Sequence, residues 1–235
     1  MPTTLPLLVL WDIDHTLVST AGVSREIYEL AFERVVGRPL VHLADMAGRT
    51  ERAITRETLE LNGVEPDHRV EAFHAALVEA TRSLEGRMRE RGRALPGARE
   101  ALTALAQDGT VQSVVTGNLP GIAATKLAAF GLEGLVDLEV GGYGDVADDR
   151  AVLVRLAIEL AEGKYEHGFG PENAVVIGDT PHDVKGALDN GALAVGVATG
   201  FSSMDELYAA GAHLVLPDLL DLAKLNELVL ARRAE

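Results

Sequence analysis

The chain has 235 residues, 47% of them hydrophobic and 24% charged, with no low-complexity tract, which suits a soluble globular protein and excludes disordered and fibrous classes. It contains no cysteine, so disulfide frameworks, thiolate zinc sites and cysteine nucleophiles are excluded and any metal must sit on oxygen or imidazole. A formal net charge of −15 argues against a nucleic-acid partner, because tracking phosphates takes clustered Lys and Arg.

Residues 5–11 form a continuous apolar run ending at Asp12, which predicts a strand buried on both faces that delivers a carboxylate at its C-terminal end. The run is too short to span a bilayer and lacks the basic flank and cleavage site of a signal peptide. No membrane association is expected, and the protein reads as cytoplasmic. Residues 20–93 hold 12 Arg, no Lys and 13 acids, against 9 bases and 23 acids elsewhere, so nearly all the negative charge lies outside this stretch. Within it, residues 24–36, 50–61 and 67–89 show helical amphipathicity and no convincing strand. Residues 19–22 mark the exit into this helical insertion, and Pro96 and Gly97 mark the return. Beyond it, strands are predicted at 111–115, 174–177, 192–197 and, weakly, 213–216, and helices at 96–107, 119–130, 151–162, 181–190, 203–210 and 218–232. Strand alternating with helix predicts an α/β fold, a Rossmann-like parallel sheet with helices on both faces. The expected domains are a core of residues 1–19 and 95–235 and an all-helical insertion of residues 20–94.

Asp12-Ile13-Asp14-His15-Thr16 stands just past the first strand, at the sheet edge where ligands bind in open α/β folds. One carboxylate can attack an electrophile while the other moves protons, provided a cation keeps the attacker ionised. Magnesium, which demands oxygen ligands, suits that task. An isolated Asp-x-Asp is equally a turn or a helix cap, but other strand ends add to it. The 111–115 strand runs into Thr116-Gly117-Asn118, a hydroxyl and free backbone N–H groups suited to a phosphoryl oxygen. The 174–177 strand runs into Gly178-Asp179-Thr180-Pro181-His182-Asp183, which brings further carboxylates to the same edge.

This ordered set resembles the haloacid dehalogenase superfamily of phosphohydrolases, and the helical stretch resembles the inserted cap of its phosphoglycolate phosphatase and β-phosphoglucomutase subgroup. Residues 196–212 are similar to the family's C-terminal segment. The resemblance implies that Asp12 attacks phosphorus and becomes an aspartyl phosphate, while Asp14 protonates the leaving alkoxide and then activates water. It also implies that Mg2+ is held by the Asp12 carboxylate, the Asp14 carbonyl and Asp179, with Asp183 as a ligand or as support. Thr116, with the backbone around Gly117 and Asn118, would grip the transferring oxygens. The family's lysine, usually followed by proline, has no counterpart here, and Arg150 stands at about its place. Lys126 comes too early and is expected on a solvated helix face, and Lys164 is expected in a loop. Dehalogenation is disfavoured because dehalogenases lack the second Asp, and phosphonate cleavage because the insertion has no Lys.

The helical insertion would close over the core, exclude water and read the non-phosphate part of the substrate, with Arg49 in Gly48-Arg49-Thr50-Glu51-Arg52 as the candidate contact. His42, His68 and His74 lack a partner at ligand spacing, Trp11 reads as core, and His15 and His182 are given no catalytic role. The expected function is a magnesium-dependent phosphatase of a small phosphorylated metabolite, of phosphoglycolate or sugar-phosphate type, acting as a monomer or homodimer. A phosphosugar mutase and a catalytically silent binding protein are the alternatives.

Overall fold

The structure is a computed structural model that describes residues 6–107, 109–165 and 168–231; Leu5 and Arg232, which bounded two of the predicted elements, lie outside these. The apolar run forms β1 (Leu7–Trp11), buried along its whole length. Period-2 alternation sends Leu7, Val9 and Trp11 into one hydrophobic cluster and Leu8 and Leu10 into another. A strand buried on both faces therefore needs the unbroken run seen in the sequence rather than alternating polar residues. Trp11 is core, as expected, with its indole N–H donating to Gln112 Oε1 at 3.1 Å.

After β1 come β2 (Val18–Ser19), α1 (Val23–Val36), α2 (Glu51–Leu61), α3 (Val70–Ser83), α4 (Glu85–Arg91), β3 (Arg93–Ala94) and α5 (Ala98–Leu105). Then follow β4 (Thr110–Thr116), α6 (Pro120–Ala129), β5 (Gly142–Tyr143), α7 (Arg150–Tyr165), β6 (Ala174–Gly178), α8 (Pro181–Asp189), β7 (Leu193–Val197), α9 (Met204–Ala209), β8 (Leu214–Leu216) and α10 (Leu222–Ala231). Six strands form one parallel sheet in the order β5-β4-β1-β6-β7-β8. Helices α5, α6 and α10 cover the face of Leu7 and Val9, and α7, α8 and α9 cover that of Leu8 and Leu10. This is the predicted Rossmann-like α/β arrangement, with β1 in its middle.

Three details differ from the sequence reading. Edge strand β5 has only two residues, too few to leave a periodic signal. The chain leaves and re-enters the core side by side, so Val18 and Ser19 pair antiparallel with Ala94 and Arg93, where no strand was expected. The helix expected over 67–89 is divided at Leu84, next to Gly86, which lowers helix propensity.

Helices α1 to α4 enclose a third hydrophobic cluster built around Tyr28, Phe32, Phe73 and Leu77, which Leu119 and Ile122 join from the start of α6. Among the described residues no helix is long and apolar enough to cross a membrane.

Candidate active site

Parallel strands end at the same sheet edge, so β1, β4 and β6 deliver Asp12, Thr116 and Asp179 to one place, as their spacing in the sequence required. Asp12 N donates to Ile177 O at 2.8 Å, which ties the nucleophile candidate to the neighbouring strand end. Helix α8 begins with a capping box: Thr180 N and Oγ1 donate to Asp183 Oδ2 at 3.1 and 2.7 Å, and Asp183 N donates back to Thr180 Oγ1 at 3.4 Å. That cap fixes Asp183 with its other oxygen turned toward Asp12 and Asp179. One carboxylate oxygen from each of the three lies within 4.8 Å of the other two, and all three residues are buried.

This group is suited to a hard divalent cation. Its donors are all oxygen, and Asp183 Oδ1 is buried without a hydrogen-bond partner. Burial, and then the repulsion of neighbouring carboxylates, pushes both Asp12 and Asp179 well above the ordinary carboxylate range. A bound cation reverses both effects.

Arg150, the first residue of α7, is buried against this group. Its Nη1 donates to Asp12 Oδ1 at 3.3 Å and to Val115 O at 3.1 Å, and its Nε stands 3.3 Å from Asp183 Oδ1 without hydrogen-bond alignment. The guanidinium thus faces both the nucleophile candidate and the α8 carboxylate.

The expectation for Lys126 is corrected. Its side chain is buried, on the face of α6 shared with Ile122, Ala123 and Leu127. Its Nζ donates to both oxygens of Asp14, at 2.8 and 2.6 Å, and to Asn118 Oδ1 at 2.7 Å. Asn118 Nδ2 in turn donates to Asp14 Oδ2 and to Thr116 Oγ1, each at 2.7 Å. Burial works against ionisation of Asp14, yet the charge and hydrogen bonds of Lys126 and Asn118 hold its carboxyl below the usual range. The Asp14 carboxylate is therefore committed to this network, and only its backbone carbonyl remains for a metal. The charge of Lys126 misled the reading, whereas its spacing from Ile122 and Ala123 was the available signal for burial. Lys164 is corrected too: it lies in the last turn of α7, 2.6 Å from Asp137 Oδ2 and 2.7 Å from Glu139 Oε2, on the surface.

The helical insertion reaches the site through residues 46–52. Glu51 N donates to Gly117 O at 2.8 Å and Arg52 N to Gly144 O at 3.0 Å. The Arg49 carbonyl packs so closely on Gly117 that a side chain there would displace it. Gly48, at φ 66°, turns the chain against Thr180 and His182. Together these surfaces enclose a cavity of about 340 Å³ that Asp12, Asp14, Thr116, Lys126, Arg150 and Asp179 line on the core side. Arg49 also lines it, with its guanidinium paired to Glu57 and donating to Asp45 O at 3.1 Å. His15, at φ 62°, stacks edge-on against Phe201 at 5.1 Å at the rim.

The sequence reading did not single out Glu51 or Tyr28. Glu51, 5% exposed, faces the cavity and accepts a hydrogen bond from the buried Tyr28 hydroxyl. Burial pushes its carboxyl up to about 7. Glu51 was read as part of a helix start, and only the fold shows that α2 begins over the site.

The family model for haloacid dehalogenase-like hydrolases matches residues 9–188. A phosphoglycolate phosphatase of Caulobacter vibrioides is 27% identical over 223 residues, covering 92% of this chain and 89% of that protein. The structure of CbbY from Rhodobacter sphaeroides in complex with phosphate is similar, with a TM-score of 0.65, 19% identity, and coverage of 93% of this chain and 96% of that one. A candidate β-phosphoglucomutase from Bacteroides vulgatus has a TM-score of 0.66 at 20% identity, covering 100% of this chain and 93% of that one.

Proposed function

The chain belongs to the haloacid dehalogenase-like hydrolase family, and from that premise we propose that it is a magnesium-dependent phosphatase of small phosphorylated metabolites, working through a phosphorylated Asp12. The observation that carries this reading is the pairing of two carboxylates with two different cations: Asp12 with Arg150, and Asp14 with Lys126. The pairs divide the labour. The first, together with a bound cation, would keep a nucleophile ionised beside an anionic phosphate, and the second holds a proton-transfer group in place. The likeness to a phosphoglycolate phosphatase supports a phosphoglycolate or sugar-phosphate type of substrate.

Magnesium would be held by the carboxylates of Asp12 and Asp179 and the Asp14 carbonyl, with Asp183 beside them, and when bound it would neutralise charge on the phosphate. An Asp12 oxygen attacks phosphorus, forming the aspartyl phosphate as the bond to the ester oxygen breaks. Asp14, held ionised by Lys126 in the free protein, takes up a proton as the anionic phosphate binds beside it and gives that proton to the leaving alkoxide. Asp14 then takes a proton from water, whose oxygen attacks phosphorus and releases phosphate from Asp12. Thr116 and the backbone of Gly117 and Asn118 position the transferring oxygens, and Arg150 opposes the charge that builds on them. Residues 20–94 act as a cap that closes on the core through the contacts of residues 48–52 and shields the aspartyl phosphate from stray water.

The test is a screen of phosphate release from a panel of phosphorylated metabolites with magnesium present. Release from small phosphomonoesters is expected. Inactivity across the panel would contradict the phosphatase reading.

A further inference from the structure

Taking the phosphatase reading as given, we infer that Glu51, fixed by Tyr28, selects against substrates that carry a second anionic group, so that of the two substrate types proposed above the sugar-phosphate type, with an uncharged, hydroxyl-bearing leaving group, is favoured over phosphoglycolate.

Glu51 is the first residue of α2, and its N–H is tied to Gly117 O at 2.8 Å, so its side chain stands next to the loop that follows Thr116. The buried Tyr28 hydroxyl donates to its carboxylate, and Tyr28 itself is locked in the aromatic cluster with Phe73, at a centroid distance of 5.8 Å. Glu51 therefore cannot swing aside when a substrate arrives. The other side chains that the cap brings to the cavity are the neutral Thr20, Ser24, Met46 and Ile54 and the cations Arg25 and Arg49.

A second anion on the substrate would need a counter-charge. The four cationic side chains that line the cavity are already in ion pairs: Arg25 with Glu29, Arg49 with Glu57, Lys126 with Asp14 and Arg150 with Asp12. Arg25 and Arg49 pair with exposed carboxylates, where such bridges are weak, so the Glu51 charge is what opposes an anion there, while freeing Lys126 would release Asp14. A carboxylate placed beside Glu51 would meet like charge at low dielectric, a juxtaposition that costs specificity pockets several-fold to many-fold in affinity. A hydroxyl in the same place can donate to the Glu51 carboxylate and accept from the Ser or Thr hydroxyls. The site thus uses repulsion as well as attraction to choose.

The experiment compares, at about pH 8.5 so that Glu51 is ionised, kcat/KM of the magnesium-loaded protein for glycerol 3-phosphate and 3-phosphoglycerate, which differ by one hydroxymethyl against one carboxylate. Wild type is expected to favour glycerol 3-phosphate by about tenfold or more, and Glu51→Gln to bring the two within about threefold of each other. Tyr28→Phe keeps the charge but frees the carboxylate to move, so it is expected to lose part of the preference, less than Glu51→Gln does. A wild-type preference for 3-phosphoglycerate, a ratio unmoved by Glu51→Gln, or a ratio lost equally in Tyr28→Phe would overturn the inference. Turnover of p-nitrophenyl phosphate by wild type separates the two levels. Without it the phosphatase reading falls and takes this inference with it, whereas turnover with the wrong ratio refutes the inference alone.

Discussion

The ammonium of Lys126 lies 2.8 and 2.6 Å from the two carboxylate oxygens of Asp14, and it joins them from the buried face of α6. A long cation buried this fully is held only because the carboxylate and Asn118 satisfy it. The pair fixes where Asp14 points and lowers its proton affinity. By fixing its direction, the pair aims Asp14 at the ester oxygen that it must protonate and at the water that it must then deprotonate.

Lys126→Met is expected to lower kcat for an alkyl phosphate by about 10²-fold, the usual scale of general acid–base assistance. The loss should be smaller for p-nitrophenyl phosphate, whose leaving group departs without a proton. Steady-state kinetics on both esters would check this. Equal losses would mean that Lys126 supports the fold rather than Asp14.

Arg150→Ala removes the cation facing Asp12 and Asp183, and breaking such a buried pair typically destabilises by about 3–5 kcal/mol. Activity should fall by about 10³-fold, as for loss of a preorganised electrostatic contact. Arg150→Lys should recover part of it, since an ammonium can reach one carboxylate but not bridge two. Thermal melts and phosphate release on the three proteins would check both effects.

The same side chains show where sequence could speak and where it could not. Asp12, Thr116, Asp179 and Asp183 were legible because each follows a continuous apolar run, and parallel strands must end at one edge. Arg150 was legible only through the family resemblance, because it stands at about the place of the family's lysine. Lys126 was not, because a charged residue on a helix is taken as solvated unless its buried partner is known. Glu51 and Tyr28 are 23 residues apart and meet only because α1 and α2 both pack on α3, which no local pattern encodes. The strands β2 and β3 were hidden for a similar reason, since their pairing is set by the chain's two crossings lying side by side.

Magnesium should stabilise the folded protein by mass action, by about 3 kcal/mol at a hundred times its dissociation constant. For a chain of this size that raises the melting temperature by roughly 5–10 °C. Asp183→Asn should cut the increase, and chelation should abolish it. Calorimetric melts at neutral pH with and without magnesium give the comparison.

Glu51 gives a pH dependence with a definite sign. Its carboxyl is pushed from an ordinary 4.5 up to about 7, so the folded state holds a proton there that the unfolded state has lost. The stability tied to that proton is present below pH 4.5 and is lost as pH rises through about 7. Glu51→Gln removes this loss while keeping an acceptor for Tyr28. The variant should therefore gain on wild type between pH 5 and pH 8, by up to roughly 3 kcal/mol. Denaturant unfolding of both proteins at those two pH values measures it.

The most direct test of the account is to trap phosphorylated Asp12. Magnesium-loaded protein mixed with p-nitrophenyl phosphate and quenched in acid should gain one phosphoryl group, located on Asp12 by peptide mass spectrometry. Asp12→Asn should show neither the adduct nor turnover above about a thousandth of wild type. Undiminished phosphate release by Asp12→Asn, or a phosphoryl group found on another residue during turnover, would contradict it.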